Sequence, residues 1–115
     1  MNSQPRFLQG VYPFEGRGLD SPEAIGDGMV YEVPPDRRAQ LVYFRGGNSC
    51  AEMVYAVLTR DGEPVRYFPM GAKEGTHVPL RVVEDLHPKA RIEVGIAAPE
   101  GTSGTVVIDV GLVES

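Results

Sequence analysis

Thr105-Val106-Val107-Ile108-Asp109-Val110-Gly111-Leu112 decides the fold class. Val106, Ile108, Val110 and Leu112 alternate with Thr105, Val107, Asp109 and Gly111, so an extended chain sends one apolar set to a core and a mixed set to the other face. The run upstream repeats the pattern, with Ile92, Val94 and Ile96 set against Arg91, Glu93 and Gly95. The turn-rich connector Pro99-Glu100-Gly101-Thr102-Ser103-Gly104 lies between the two runs, which therefore read as a hairpin.

The same logic extends toward the N-terminus. Val78, Leu80 and Val82 share a face opposite His77, Pro79 and Arg81, and Pro79, which cannot donate to a ladder, marks an edge strand or a bulge. Asp61-Gly62 is a two-residue hairpin signal followed by a short strand through Val65, Tyr67 and Phe68. Gln40 to Arg45 and Glu52 to Arg60 are apolar on both faces, as in strands covered on two sides or meeting another subunit, and Gly46-Gly47-Asn48-Ser49 reads as the loop between them. Met29 to Val33 and Phe7 to Phe14 supply two more strands. Gly16 to Gly28 reads as a long loop in which Ser21-Pro22-Glu23 can open one helical turn before Gly26 and Gly28 stop it. The expectation is an all-β, antiparallel β-sandwich of jelly-roll type with about eight strands, formed by residues 1–115 as a single domain.

Composition agrees and narrows the function. A chain of 115 residues with 14 Gly and 10 Pro is turn-rich and helix-poor. A formal charge of −5 opposes a phosphate-tracking surface, so no nucleic-acid partner is expected. Of the 11 bases all but Lys73 and Lys89 are Arg, which suits planar pairing with carboxylates across strands. Cys50 is the one cysteine; it forms no internal disulfide, reads as a small buried hydrophobe and fits a reducing compartment. No apolar run reaches signal-peptide or membrane-span length, and a cytoplasmic protein with no membrane partner is expected.

No pattern of catalytic residues emerges. His77 and His87 belong to no metal-binding spacing; His77 reads first as a polar residue on an outward strand face and second as a ligand contact, and His87 as a turn residue. Gly75-Thr76-His77 with Glu84 gives only a faint echo of a cupin-like metal enzyme. There is no Gly-x-Ser-x-Gly elbow and no phosphate-binding loop, and the neighbours Glu84-Asp85, which point opposite ways in a strand, read as a solvated strand end. The aromatic set is more informative. Tyr43, Tyr55 and Tyr67 lie on three strands taken as neighbours, with Arg45 beyond Tyr43 and Arg66 beside Tyr67. Rings pack on the C–H faces of sugars while Arg supplies planar donors to hydroxyls, so Tyr43, Arg45, Tyr55, Arg66, Tyr67 and His77 form the candidate ligand-binding set. The competing reading is that the three tyrosines sit in a core or a subunit interface.

Three segments resemble the jelly-roll carbohydrate-binding modules, whose fold is galactose-binding-like. Pro13-Phe14-Glu15-Gly16 is similar to their Phe-Glu start, and Gly75-Thr76-His77-Val78-Pro79-Leu80 to their Gly-Thr-Trp-x-x-Leu strand, with His77 in place of the Trp. Val107-Ile108-Asp109-Val110-Gly111-Leu112 is similar to their final strand. The resemblance implies a structural calcium ion with Glu15 and Asp109 as its ligands, and it implies no other cofactor. The expectation is thus a non-catalytic binding module for a saccharide-like ligand or a protein partner. The alternative is a self-associating structural or assembly protein, and on either reading a homo-oligomer is expected because surplus apolar strand faces are commonly buried between copies.

Overall fold

The computed structural model describes residues 3–115, with the side chains of residues 81–83 outside the description. The expected inward face of Val82 and outward face of Arg81 therefore lie outside the described residues. Among the described residues nine strands run in chain order: β1 (Gln4–Glu15), β2 (Glu23–Ala24), β3 (Val30–Glu32), β4 (Ala39–Asn48), β5 (Val54–Arg60), β6 (Glu63–Met70), β7 (Gly75–Leu86), β8 (Arg91–Ala97) and β9 (Ser103–Glu114). The described residues include no α-helix, and no helix is long and apolar enough to cross a membrane. One 3-10 turn, Asp27–Met29, separates β2 from β3.

Every pairing is antiparallel. One sheet has the order β1-β9-β4-β7; the other has β2-β8-β5-β6, with β3 also on β8. Ala24 opposes Gly95 and Val30 opposes Glu93, so β2 and β3 follow one edge of β8 as a single strand broken by the 3-10 turn. Counted that way, the described residues form the expected eight strands, and the chain changes sheet at every connection except the β5–β6 hairpin. That alternation defines a jelly-roll sandwich.

The alternating runs form its core. Val106, Ile108, Val110 and Leu112 of β9 face Ile92, Val94 and Ile96 of β8, and all seven are buried. Phe44 and Phe68 stack between the sheets with ring centroids 4.2 Å apart. Burial of each such side chain contributes about 2 kcal/mol. Cys50 is buried, and the Asn48 amide beside it donates to the carbonyls of Glu52 and Gly71 while its oxygen accepts from the Cys50 N–H. Asp61 and Gly62 both adopt left-handed φ angles, 51° and 86°, as the expected tight hairpin between Arg60 and Glu63 requires.

Four local expectations are corrected. β8 and β9 do not form a hairpin; they lie in opposite sheets, because alternation fixes which face of a strand is apolar and not which sheet the strand joins. The five-residue connector, residues 98–102, is long enough to cross the ~10 Å between layers. Gly46, Gly47 and Asn48 are not loop but the end of β4, the two glycines paired on both sides with β7 and β9 and Asn48 with β9. Ser21-Pro22-Glu23 opens no helical turn; Glu23 instead pairs with Ile96. Glu84 is not a solvated strand end. It accepts from Arg60 at 3.2 Å and Arg66 at 2.9 Å, tying the edge of one sheet to the other. Pro79 does lie on an edge strand, since β7 has β4 as its single neighbour in the sheet order.

Candidate functional site

A bulge organises the outer face of the four-stranded sheet. Against β9 the register of β4 advances two residues for one between Leu41 and Tyr43, so Val42 is the extra residue of that pair. An added residue inverts the alternation beyond it. Leu41 is therefore inward, as is Phe44, while Tyr43, Arg45 and Gly47 are turned to the outer face.

The outward residues of four strands then line up in rows. Gln9 of β1, Asp109 of β9, Arg45 of β4 and His77 of β7 are successive register partners and form a polar row. One step along the strands, Val11, Val107, Gly47 and Gly75 form a second row, apolar and half of it without side chains. On the other side of the polar row, Tyr43 lays its ring over Gly111, where a Cβ would come within 2.0 Å of a ring carbon. Between the first two rows lies an open groove of roughly 480 Å³, lined by Arg45, Gly47, Gly75, His77, Val107 and Asp109 among others.

Asp109 is the hub. Its Oδ1 accepts from Tyr43 at 2.9 Å and from Gln9 at 3.0 Å, and its Oδ2 lies 3.7 Å from the Arg45 guanidinium. Burial, reinforced by the bond to Asp109, pushes the Tyr43 phenol above its ordinary value, so it remains a donor at neutral pH. The Tyr43 and His77 rings meet edge to face at 6.2 Å. Asp109 keeps 23% side-chain exposure and Arg45 61%, so both polar ends remain open to a ligand.

The six residues grouped from sequence thus fall into three places. Tyr43, Arg45 and His77 come together. Tyr55 and Tyr67 lie on the five-stranded sheet, because the chain changes sheet between β4 and β5, and their rings meet each other at 5.5 Å on that sheet's outer side. The Tyr55 hydroxyl donates to the Leu19 carbonyl, and burial, with Tyr67 adding to it, pushes that phenol up. Arg66 faces neither group; it is the partner of Glu84 at the open edge of the sandwich.

Glu15 and Asp109 are also separated. Glu15 pairs with Ser103 and Asp109 with Gln9, six register steps apart or roughly 20 Å along the ladder, so they cannot share one ion. Among the described residues no three His, Cys, Asp or Glu side chains converge. His77 and Glu84 are seven residues apart on one strand. Sequence reasoning did not single out Gln9, Gly47, Gly75 or Val107 as site residues; the one available signal was a Gly-Gly pair at the end of an apolar run.

No protein-family model matches the sequence, and no curated protein matches it. Solved structures do share its fold. A family 35 carbohydrate-binding module from Clostridium thermocellum superposes with a TM-score of 0.54 at 12% identity, covering 95% of this chain and 97% of that one. A structure of infectious bursal disease virus, Gt strain, superposes with a TM-score of 0.52 at 9% identity, covering 97% of this chain and 31% of that one. At such identities the likeness defines a jelly-roll β-sandwich, the architecture of the carbohydrate-binding modules that the three sequence segments resemble, and nothing about ligand follows from it.

Proposed function

We propose that this chain is a non-catalytic binding module that holds a saccharide-like ligand in the groove on the outer face of its four-stranded sheet. One observation carries the reading: a cross-strand row of amide, carboxylate, guanidinium and imidazole runs beside a flat apolar row, on rigid strands and open to solvent. Polyhydroxylated rings need that combination, with donors and an acceptor for hydroxyls on one side and an apolar shelf for C–H groups on the other. The Asp109 carboxylate accepts from two donors and lies beside the Arg45 guanidinium, which suits an orienting acceptor better than a free general base.

A glycan array followed by titration calorimetry tests this. Removing the Arg45 guanidinium from a bound hydroxyl forfeits a charge-assisted hydrogen bond, so Arg45→Ala weakens binding roughly ten- to hundredfold, and His77→Ala less. The reading fails if no oligosaccharide binds, or if Arg45→Ala binds like the parent.

A second reading rests on Phe7, Val11 and Val107, which are 53%, 65% and 52% exposed on the same outer face. Covering them with a second copy would bury the apolar edge of the groove. Light scattering distinguishes the two: a dimer that Phe7→Ser and Val107→Ser dissolve favours assembly, and a monomer at micromolar concentration eliminates it.

A further inference from the structure

We infer that Gly47 is the specificity-determining position of this groove, and that its missing side chain admits a sugar ring laid flat on the sheet. The inference rests on the saccharide reading of the same groove. Of the 14 glycines, twelve are held by packing or by backbone conformation, and a Cβ at Gly71 would meet only the exposed Glu74 side chain, which can move aside. A Cβ at Gly46 would meet the Met70 sulfur at 2.8 Å, one at Gly16 the Pro99 carbonyl at 1.9 Å, and one at Gly75 the Gly46 carbonyl at 3.3 Å. Gly62 and Gly101 have open space but adopt left-handed φ angles that favour glycine. Gly47 alone has neither restriction: its φ is ordinary, and a Cβ there would meet nothing within 4 Å.

Glycine in a strand with neighbours on both sides weakens that strand, and β-branched side chains do best there. Since neither packing nor backbone geometry requires glycine at 47, its effect is on the space outside. The added side chain would rise between Val107 and Gly75, its two register partners, into the groove. The polar row of Arg45, His77 and Asp109 is two residues further along the strands, roughly 7 Å away. A pyranose with one face over Gly47 and its rim hydroxyls toward that row spans the distance. The face laid on the glycine must carry C–H groups only, so gluco- and xylo-configured rings fit and rings with an axial hydroxyl on that face do not.

The probes are xylo-, gluco-, manno- and galacto-oligosaccharides, titrated against the parent, Gly47→Ala, Gly47→Val and Arg45→Ala, with thermal melts of each. Overpacking of the shelf by Gly47→Val weakens binding of the xylo- or gluco-series roughly tenfold or more, Gly47→Ala less, while the melting temperature stays level or rises. If Gly47→Val binds like the parent while Arg45→Ala does not, the role of Gly47 is overturned and the groove reading stands. A fall of several degrees in the Gly47→Ala and Gly47→Val melts overturns it too, because the fold would then need the glycine. If no oligosaccharide binds, the groove reading falls and this inference with it.

Discussion

Two carboxylates on β9, Asp109 and Glu114, have nearly the same partners and opposite roles. Each accepts a hydrogen bond from a tyrosine hydroxyl and lies beside an arginine: Tyr43 and Arg45 for Asp109, Tyr31 and Arg6 for Glu114. They are five positions apart, an odd offset, so an extended strand sends them to opposite faces. Asp109 points outward and its partners all belong to its own sheet. Glu114 points inward with 4% side-chain exposure, and Tyr31 reaches it from β3 in the other sheet while Arg6 comes from β1. The comparison locates role in the partners' strands: donors from two sheets make a clasp that holds layers together, and donors from one sheet make a polar row on the outer surface, where the proposed ligand would lie.

The largest expected effect tests the clasp. Glu114→Ala leaves the Tyr31 hydroxyl and half-exposed Arg6 without their shared acceptor at the end of the sandwich, and should cost about 3 kcal/mol in denaturant unfolding. Asp109→Ala should cost well under half of that, and equal losses would break the comparison. The pH dependence sharpens it. Hydrogen bonds from Tyr31 and Arg6 outweigh burial and hold the Glu114 carboxyl below its usual range, so its contribution is fully present above the unfolded value of about 4.3 and is lost as pH falls through the folded one. Glu114→Gln should therefore flatten the acid limb of the stability curve, and an unchanged limb would remove Glu114 from the clasp.

The strand faces were legible in the sequence, and the sheets were not. Alternation at Val106–Leu112 and Ile92–Ile96 follows from the period of an extended chain, so both runs are inward as read. The layer each strand joins depends on where its connector leads, which no local pattern encodes, and the expected β8–β9 hairpin is a layer crossing. The site divided the same way. Tyr43, Arg45 and His77, grouped by chemistry, do lie on one face, whereas Tyr55 and Tyr67 were joined to them on a regular spacing of tyrosines that crosses from one sheet to the other. Val42 explains why even Tyr43 could not be assigned a face: a bulge in β4 inverts the alternation, and nothing in Gln40-Leu41-Val42-Tyr43 announces it. The Tyr31–Glu114 pair spans 83 residues and carried no signal at all.

The smallest expected effect separates the two tyrosines. Tyr31→Phe removes a donor from a buried carboxylate and should cost about 1.5 kcal/mol, near the upper end for a single hydrogen bond. Tyr43→Phe keeps the ring over Gly111, where its packing lies, and removes only the bond to Asp109. Asp109 still accepts from Gln9 and remains open to water, so the loss should stay within about 0.5 kcal/mol. Its effect should surface instead in binding, because a carboxylate with one positioning donor fewer orients a ligand hydroxyl less well, by roughly two- to threefold in Kd. Melts and titrations on the same two variants read both quantities. A Tyr43→Phe change as destabilising as Tyr31→Phe would mean that the outer face is also held together by its polar row, and the division between a clasp facing in and a binding surface facing out would then give way to a single cross-strand network.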